Sequence, residues 1–175
     1  MLALMRPDRP APTIPSPALP TTAAELSASC PIARALEIVG ERWSLLILRE
    51  AFLGQRRFND FERRLGIARN ILSARLKHLV ERGVLSREPS REDARQIEYR
   101  LTPMGKSLFP LLVAMADWGT RWAPCADTAL RLQNADSGAP LDAVRVFDRD
   151  GVELTPRNLR LEWRPDAAQT TAATD

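Results

Sequence analysis

Arg56, Arg57, Arg69, Arg75 and Lys77 lie close together along the chain, with Asn70 and Ser73 between them. Cationic side chains in such a group suit the closely spaced phosphates of a nucleic-acid duplex, and short polar side chains among them suit base edges. Asn70 carries the paired donor and acceptor that match adenine, and Arg69 or Lys77 could reach O6 and N7 of guanine. Taken singly, each is also an ordinary solvated surface group, so the element that carries it decides. Farther on, Arg91 and Arg95 flank Glu92 and Asp93. There an acidic neighbour could hold Arg95 for approach to a narrow groove, or the four make a plain solvated turn.

Other chemistries find less support. The single histidine, His78, sits beside Leu79 inside a helical pattern, where a packing contact is a better reading than proton transfer. No nucleophile–base pair and no phosphate-cradling glycine loop stands out. Asp148-Arg149-Asp150-Gly151 lacks the third acidic position and the distant glutamate of a calcium loop, and reads as a hairpin turn. Two cysteines, Cys30 and Cys125, are too few for a disulfide framework and have no metal-ligand spacing. The expectation is no enzyme, no cofactor and no metal. Cys30 stands just before a helix, at the positive end of its dipole, a setting that could make the thiol redox-responsive; a small buried apolar residue is the plainer reading.

The elements that must position these residues follow from periodicity. Pro31 suits a first helical turn, Ile32, Ala35, Leu36 and Val39 line one face, and Gly40 stops the helix. A second helix is predicted over about Arg42–Leu53, and a third from Asn59 or Asp60 to Leu65, burying Phe58, Phe61 and Leu65 and closing at Gly66. A fourth, about Arg69–Arg82, sets Leu72, Leu76 and Leu79 on one line with Ile71 and Val80 flanking, and Asn70, Ser73, Ala74, Lys77 and Glu81 opposite. In that context Asn70, Ser73 and Lys77 read as groove-facing, while Arg75 points nearer the packed side, toward a phosphate or a structural ion pair. Val84–Arg87 and Gln96–Leu101 are predicted strands, the second alternating Ile97, Tyr99 and Leu101 against Glu98 and Arg100. Helix, turn, helix and a basic-tipped hairpin form the winged-helix plan, with the second helix of the pair in the major groove and the hairpin at the neighbouring backbone or minor groove.

Pro103–Trp122 forms a fifth helix, kinked or restarted at Pro110, with Leu108, Leu111, Leu112, Met115, Trp118 and Trp122 at three- and four-residue steps. It is too apolar to stand alone. Core packing is one use of that face; a dimer seam or effector pocket lined by Leu111, Met115, Trp118 and Trp122 is another. Beyond Pro124, Thr128–Gln133, Ala143–Asp148 and Asn158–Trp163 alternate like strands. The fold class is therefore mainly α with a β-wing, plus a small β-rich C-terminal extension. The expected divisions are a Pro-rich disordered tail at 1–29, the winged-helix domain at 30–123, the extension at 124–165 and a polar tail at 166–175.

Composition agrees with this plan. The 175 residues are 45% hydrophobic and 27% charged, enough for one ordinary core. A net charge of +3 is too mild to announce a polyanion partner, but Pro31–Thr102 holds 15 basic and 10 acidic residues, so the excess is local. No run approaches the roughly 18 apolar residues of a membrane span, and no secretory leader pattern opens the chain, so a soluble cytoplasmic protein is expected.

Several blocks of residues also look familiar together. They are Cys30-Pro31, Gly40-Glu41-Arg42-Trp43-Ser44-Leu45-Leu46-Ile47-Leu48-Arg49-Glu50, Arg57-Phe58-Asn59-Asp60-Phe61, Leu72-Ser73-Ala74-Arg75-Leu76-Lys77, Glu98-Tyr99-Arg100-Leu101-Thr102 and Trp118-Gly119. In this order and spacing, over about residues 30–122, the chain resembles the HxlR family of winged-helix regulators. The resemblance implies a homodimer paired through the first and last helices of the core, bound to double-stranded operators of imperfect two-fold symmetry. It implies recognition positions at Asn70, Ser73, Arg75 and Lys77, and a possible oxidant or small-molecule effector, with Cys125 near Cys30 of the partner subunit. Repression by promoter occlusion is the expected outcome. The rival class is an adaptor that binds a small ligand or protein through its C-terminal extension.

Overall fold

A computed structural model of the protein describes residues 30–123 and 131–160. The expected N-terminal tail, the expected C-terminal tail and Cys125 lie outside the described residues. Four helices come first, α1 (Pro31–Val39), α2 (Arg42–Phe52), α3 (Phe58–Leu65) and α4 (Arg69–Glu81). The hairpin β1 (Leu85–Pro89) and β2 (Ile97–Leu101) follows, then α5 (Pro103–Lys106) and α6 (Phe109–Trp122). The last elements are β3 (Val146–Phe147) and β4 (Glu153–Leu154).

The core forms where apolar residues recur every three or four positions. Ile47, Leu48, Phe61, Leu72, Leu76, Leu79 and Val84 are fully buried, and Val39, Ile67 and Leu85 nearly so. Each buried aliphatic or aromatic side chain contributes about 1.5–3 kcal/mol relative to exposure. Three of them, Leu72, Leu76 and Leu79, come from one line along α4, so the apolar attachment of that helix to the scaffold runs mainly through its leucines. Gly66 ends α3 at φ 60°, in the left-handed region where a side chain is strained, and its N–H donates to the Glu62 carbonyl at 2.9 Å. The chain then turns sharply enough for α4 to begin after buried Ile67 and extended Ala68.

Several boundaries differ from the periodicity reading. The helix α3 starts at Phe58, because Arg57 is extended and serves as its N-cap position. The first wing strand is Leu85–Pro89 rather than Val84–Arg87. Val84 is already committed, its N–H donating to the Leu79 carbonyl at 2.9 Å and its own carbonyl accepting from Thr102 N–H at 3.2 Å. The hairpin pairs antiparallel with Leu85 opposite Leu101 and Pro89 opposite Ile97. Glu98 does not face solvent as strict alternation predicts. It is 6% exposed, because Ser90 Oγ donates to it at 2.8 Å and Arg100 at 2.7 Å.

The stretch after the wing is two helices, not one. Thr102 caps α5, accepting from Gly105 N–H at 3.1 Å while its hydroxyl donates to the Gly83 carbonyl at 2.6 Å. The chain restarts as α6 at Phe109, with Pro110 in the first turn where its missing N–H is no loss. In the extension, β3 and β4 pair antiparallel across Asp148–Gly151, and Asp148 Oδ1 accepts from the N–H groups of Asp150 and Val152, each at 2.9 Å. Of the predicted strands, Ala143–Asp148 keeps only Val146–Phe147, and the other two run partly outside the described residues. Asn158 closes a side-chain turn with Thr155, and Gln133 makes one isolated bridge to Pro140. Among the described residues, no helix is long and apolar enough to cross a membrane.

Candidate nucleic-acid interface

The helix α4 has two sides with opposite fates. Leu72, Leu76 and Leu79 are fully buried, while Asn70, Ser73, Ala74 and Lys77 are exposed. Ile71 was expected at the edge of the leucine seam and is 39% exposed, so it belongs to the rim of the outward side. Lys77 lies 3.7 Å from Glu81 one turn on, both well exposed. Arg75 is half-buried, 3.5 Å from the Glu41 carboxylate at the start of α2, and its Nε is buried with no hydrogen bond among the described residues. That pair is one of the two roles the sequence left to Arg75.

Arg69 opens α4 and is held from two directions. Its guanidinium lies 4.9 Å from the Phe58 ring centroid and donates to Glu62 at 2.8 Å, both partners belonging to α3. A cation over an aromatic face and against a carboxylate is oriented rather than free. Arg56 and Arg57 form the link from α2 to α3. The Arg56 carbonyl accepts from Tyr99 N–H at 2.7 Å, and Arg57 makes one isolated antiparallel bridge to Glu98, so this link is tied to the outer edge of the two-stranded wing. The Arg57 guanidinium reaches across to Glu92 near the wing tip at 3.3 Å. Glu92 therefore contacts Arg57, not Arg95. Asp93 accepts from the Arg95 backbone N–H at 3.0 Å and from Gln96 Nε2 at 3.1 Å. Both Arg91 and Arg95 are exposed.

Beneath this surface, buried carboxylates that periodicity did not single out accept from neighbouring cations and hydroxyls. Glu50 of α2 is 2% exposed and accepts from Arg49 at 2.6 Å and from Arg64 of α3 at 2.5 Å. Burial pushes the Glu50 carboxyl up, but the hydrogen bonds and charges of Arg64 and Arg49 outweigh it and leave the pKa below the ordinary carboxylate value. Glu98 is likewise lowered, first by the Ser90 hydroxyl, against burial, and with help from the Arg100 charge. The only available signal for Glu50 was its place among the apolar positions of α2. His78 takes the packing role expected of it, with Nε2 3.2 Å from the Ile38 carbonyl.

The remaining named residues lie elsewhere. Leu111, Met115, Trp118 and Trp122 share one exposed face of α6, with Trp118 at 62% and Trp122 at 73%, and no residue of α6 is buried. This overturns the core-packing use of that face within one chain. On α1, Ile32 and Leu36 are also exposed. Cys30 is a half-buried free thiol in the N-cap position of α1, without a side-chain cap.

Comparison with known proteins gives consistent matches. Residues 38–127 match the profile of the HxlR-like helix-turn-helix family. An uncharacterized HTH-type transcriptional regulator of Mycobacterium tuberculosis is 44% identical over 135 residues, covering 77% of this chain and 85% of that protein. The crystal structure of PA1607, described as a candidate transcription factor, superposes with a TM-score of 0.73 at 43% identity, covering 79% of this chain and 98% of that one. PA1374 of Pseudomonas aeruginosa, described in the same terms, gives 0.57 at 37% identity, with 81% and 97% covered. These shares exceed residues 30–123 alone, so the likeness runs into the C-terminal extension.

Proposed function

Because the chain belongs to the HxlR-like helix-turn-helix family of transcriptional regulators, we propose that it is a cytoplasmic, homodimeric repressor whose α4 reads the major groove of a two-fold-related operator. The observation that carries this reading is the division of α4 between a fully buried leucine line and an exposed polar stripe. Asn70 and Ser73 are the base readers. Arg69 and Lys77 serve a guanine or a phosphate, Arg56 and Arg57 the backbone at the start of α3, and Arg91 and Arg95 the flanking backbone or minor groove. Arg75 acts indirectly, by tying α4 to α2 through Glu41.

The apolar faces of α1 and α6 form the subunit seam in this reading. Large contiguous apolar patches on a soluble domain mark interaction sites, and Ile32, Leu36, Leu111, Met115, Trp118 and Trp122 are all exposed in the single chain. Cys30 stands at the start of α1, on the edge of that seam, and is its candidate oxidant sensor. Operator affinity before and after mild oxidation tests this part; equal losses in the wild type and Cys30→Ser would end it. The domain division is proposed as residues 30–123 for binding and pairing, with 124–165 as an accessory extension.

The test of the whole proposal is retention of the intergenic duplex beside the protein's own gene. Binding should weaken steeply with salt, with a slope of about −0.9 per phosphate neutralised. Failure to retain any duplex at low salt would overturn it in favour of the adaptor reading.

A further inference from the structure

Three of the cations assigned to DNA are already occupied within the free chain. Arg69 is paired with Glu62 at 2.8 Å, Arg57 with Glu92 at 3.3 Å and Lys77 with Glu81 at 3.7 Å. The last is an exposed pair one helical turn apart, of the kind that contributes little. The first two differ, because each joins separate elements that border the α4 stripe. Glu62 is largely covered and, with Phe58, fixes Arg69 at the first position of α4. Glu92 reaches Arg57 from a residue 35 positions away, across the gap between wing tip and the start of α3.

We infer that Glu62 and Glu92 are specificity-determining residues, which hold down affinity for DNA of arbitrary sequence by occupying Arg69 and Arg57 until a duplex competes them away. Binding without sequence preference comes almost wholly from cations that displace counterions at phosphates. A guanidinium already facing a carboxylate is electrically neutralised and adds little to that term. Its release requires a phosphate, or a base edge, in the position the carboxylate now takes. Such pairing adds little to the stability of the fold, since exposed ion pairs are weak, yet it subtracts cations from the set that would grip any sequence. Glu62 also keeps Arg69 oriented, so that the side chain is presented to one place rather than swept across the surface.

This inference rests on the DNA-binding reading, and its test separates the two. The affinity of the full chain for a mixed-sequence duplex would be measured by fluorescence anisotropy across a salt series, for the wild type, Glu62→Gln, Glu92→Gln and Glu88→Gln. Glu88 is an exposed wing carboxylate with one fewer role, since no ion pair of it is found among the described residues. Glu62→Gln and Glu92→Gln should each bind several-fold more tightly, with the salt slope steepened by up to about 0.9 for the one cation released. Glu88→Gln should leave the slope unchanged. In an Arg57→Ala background the gain from Glu92→Gln should vanish, which a general change of net charge would not produce. Equal gains in all three variants, or a Glu92→Gln gain that survives Arg57→Ala, would overturn the inference while leaving DNA binding intact. No binding by any form at low salt would overturn both.

Discussion

Asn70 and Lys77 lie on the same exposed side of α4 but should fail differently when truncated. Asn70→Ala removes a group that reads a base edge, so it should cost about 1–3 kcal/mol at particular operator positions and relax preference there. Lys77→Ala removes a phosphate contact and should weaken all duplexes alike, with a salt slope shallower by about one. Competition titrations with single-base operator variants distinguish the two; a uniform loss for Asn70→Ala would mean that α4 is rotated from the orientation described. Glu50 makes a separate prediction. Its pKa is lowered in the folded chain, so its ion cluster stabilises above the ordinary value of 4.5 and that contribution is lost as pH falls through the folded value. Glu50→Gln should lower stability at neutral pH by about 1–3 kcal/mol. Its unfolding temperature should also fall less steeply than the wild type's on acidification below about pH 4.5. A parallel decline in both proteins would exclude Glu50 from the acid response.

At the scale of elements, α5 lies close against the Val84 segment that joins α4 to the wing. A Cβ on Gly105 would lie 2.2 Å from the Val84 carbonyl oxygen and 3.0 Å from Leu101 Cδ2, and the first of these is backbone that cannot swing aside. Gly105→Ala should therefore destabilise by about 1–3 kcal/mol and loosen the wing against α4, read as a lower unfolding temperature together with weaker DNA binding. Unchanged stability would show that the Val84 segment is free to shift. Helix existence and the buried lines were legible in the sequence because period and burial agree in Leu72, Leu76 and Leu79. Strand limits were not, because Val84 is held by Leu79 and Thr102, partners distant from any local pattern. Glu98 escaped for a related reason: its partners Ser90 and Arg100 become visible only once the hairpin register is set. The cations of the interface were legible as types, but their carboxylate partners Glu62 and Glu92 were not, since those pairings cross between elements.

For the whole molecule, the apolar faces of α1 and α6 connect fold to assembly. Two recognition helices reach successive major grooves only if paired subunits hold them about 34 Å apart. Trp118→Glu places a charge in the centre of the proposed seam on a residue 62% exposed in the single chain, so the subunit should still fold while the dimer dissociates. Sedimentation at micromolar concentration should find the wild type as a dimer and Trp118→Glu as a monomer, with operator affinity falling to that of a half-site. A monomeric wild type would remove the α1–α6 seam. The central claim is that α4 enters the major groove, and chemical protection of guanine N7, an atom open only in that groove, tests it most directly. Two protected clusters about one helical turn apart on the operator are expected, both weakened by Asn70→Ala. Protection confined to the minor groove, or a single cluster unaffected by that substitution, would contradict it.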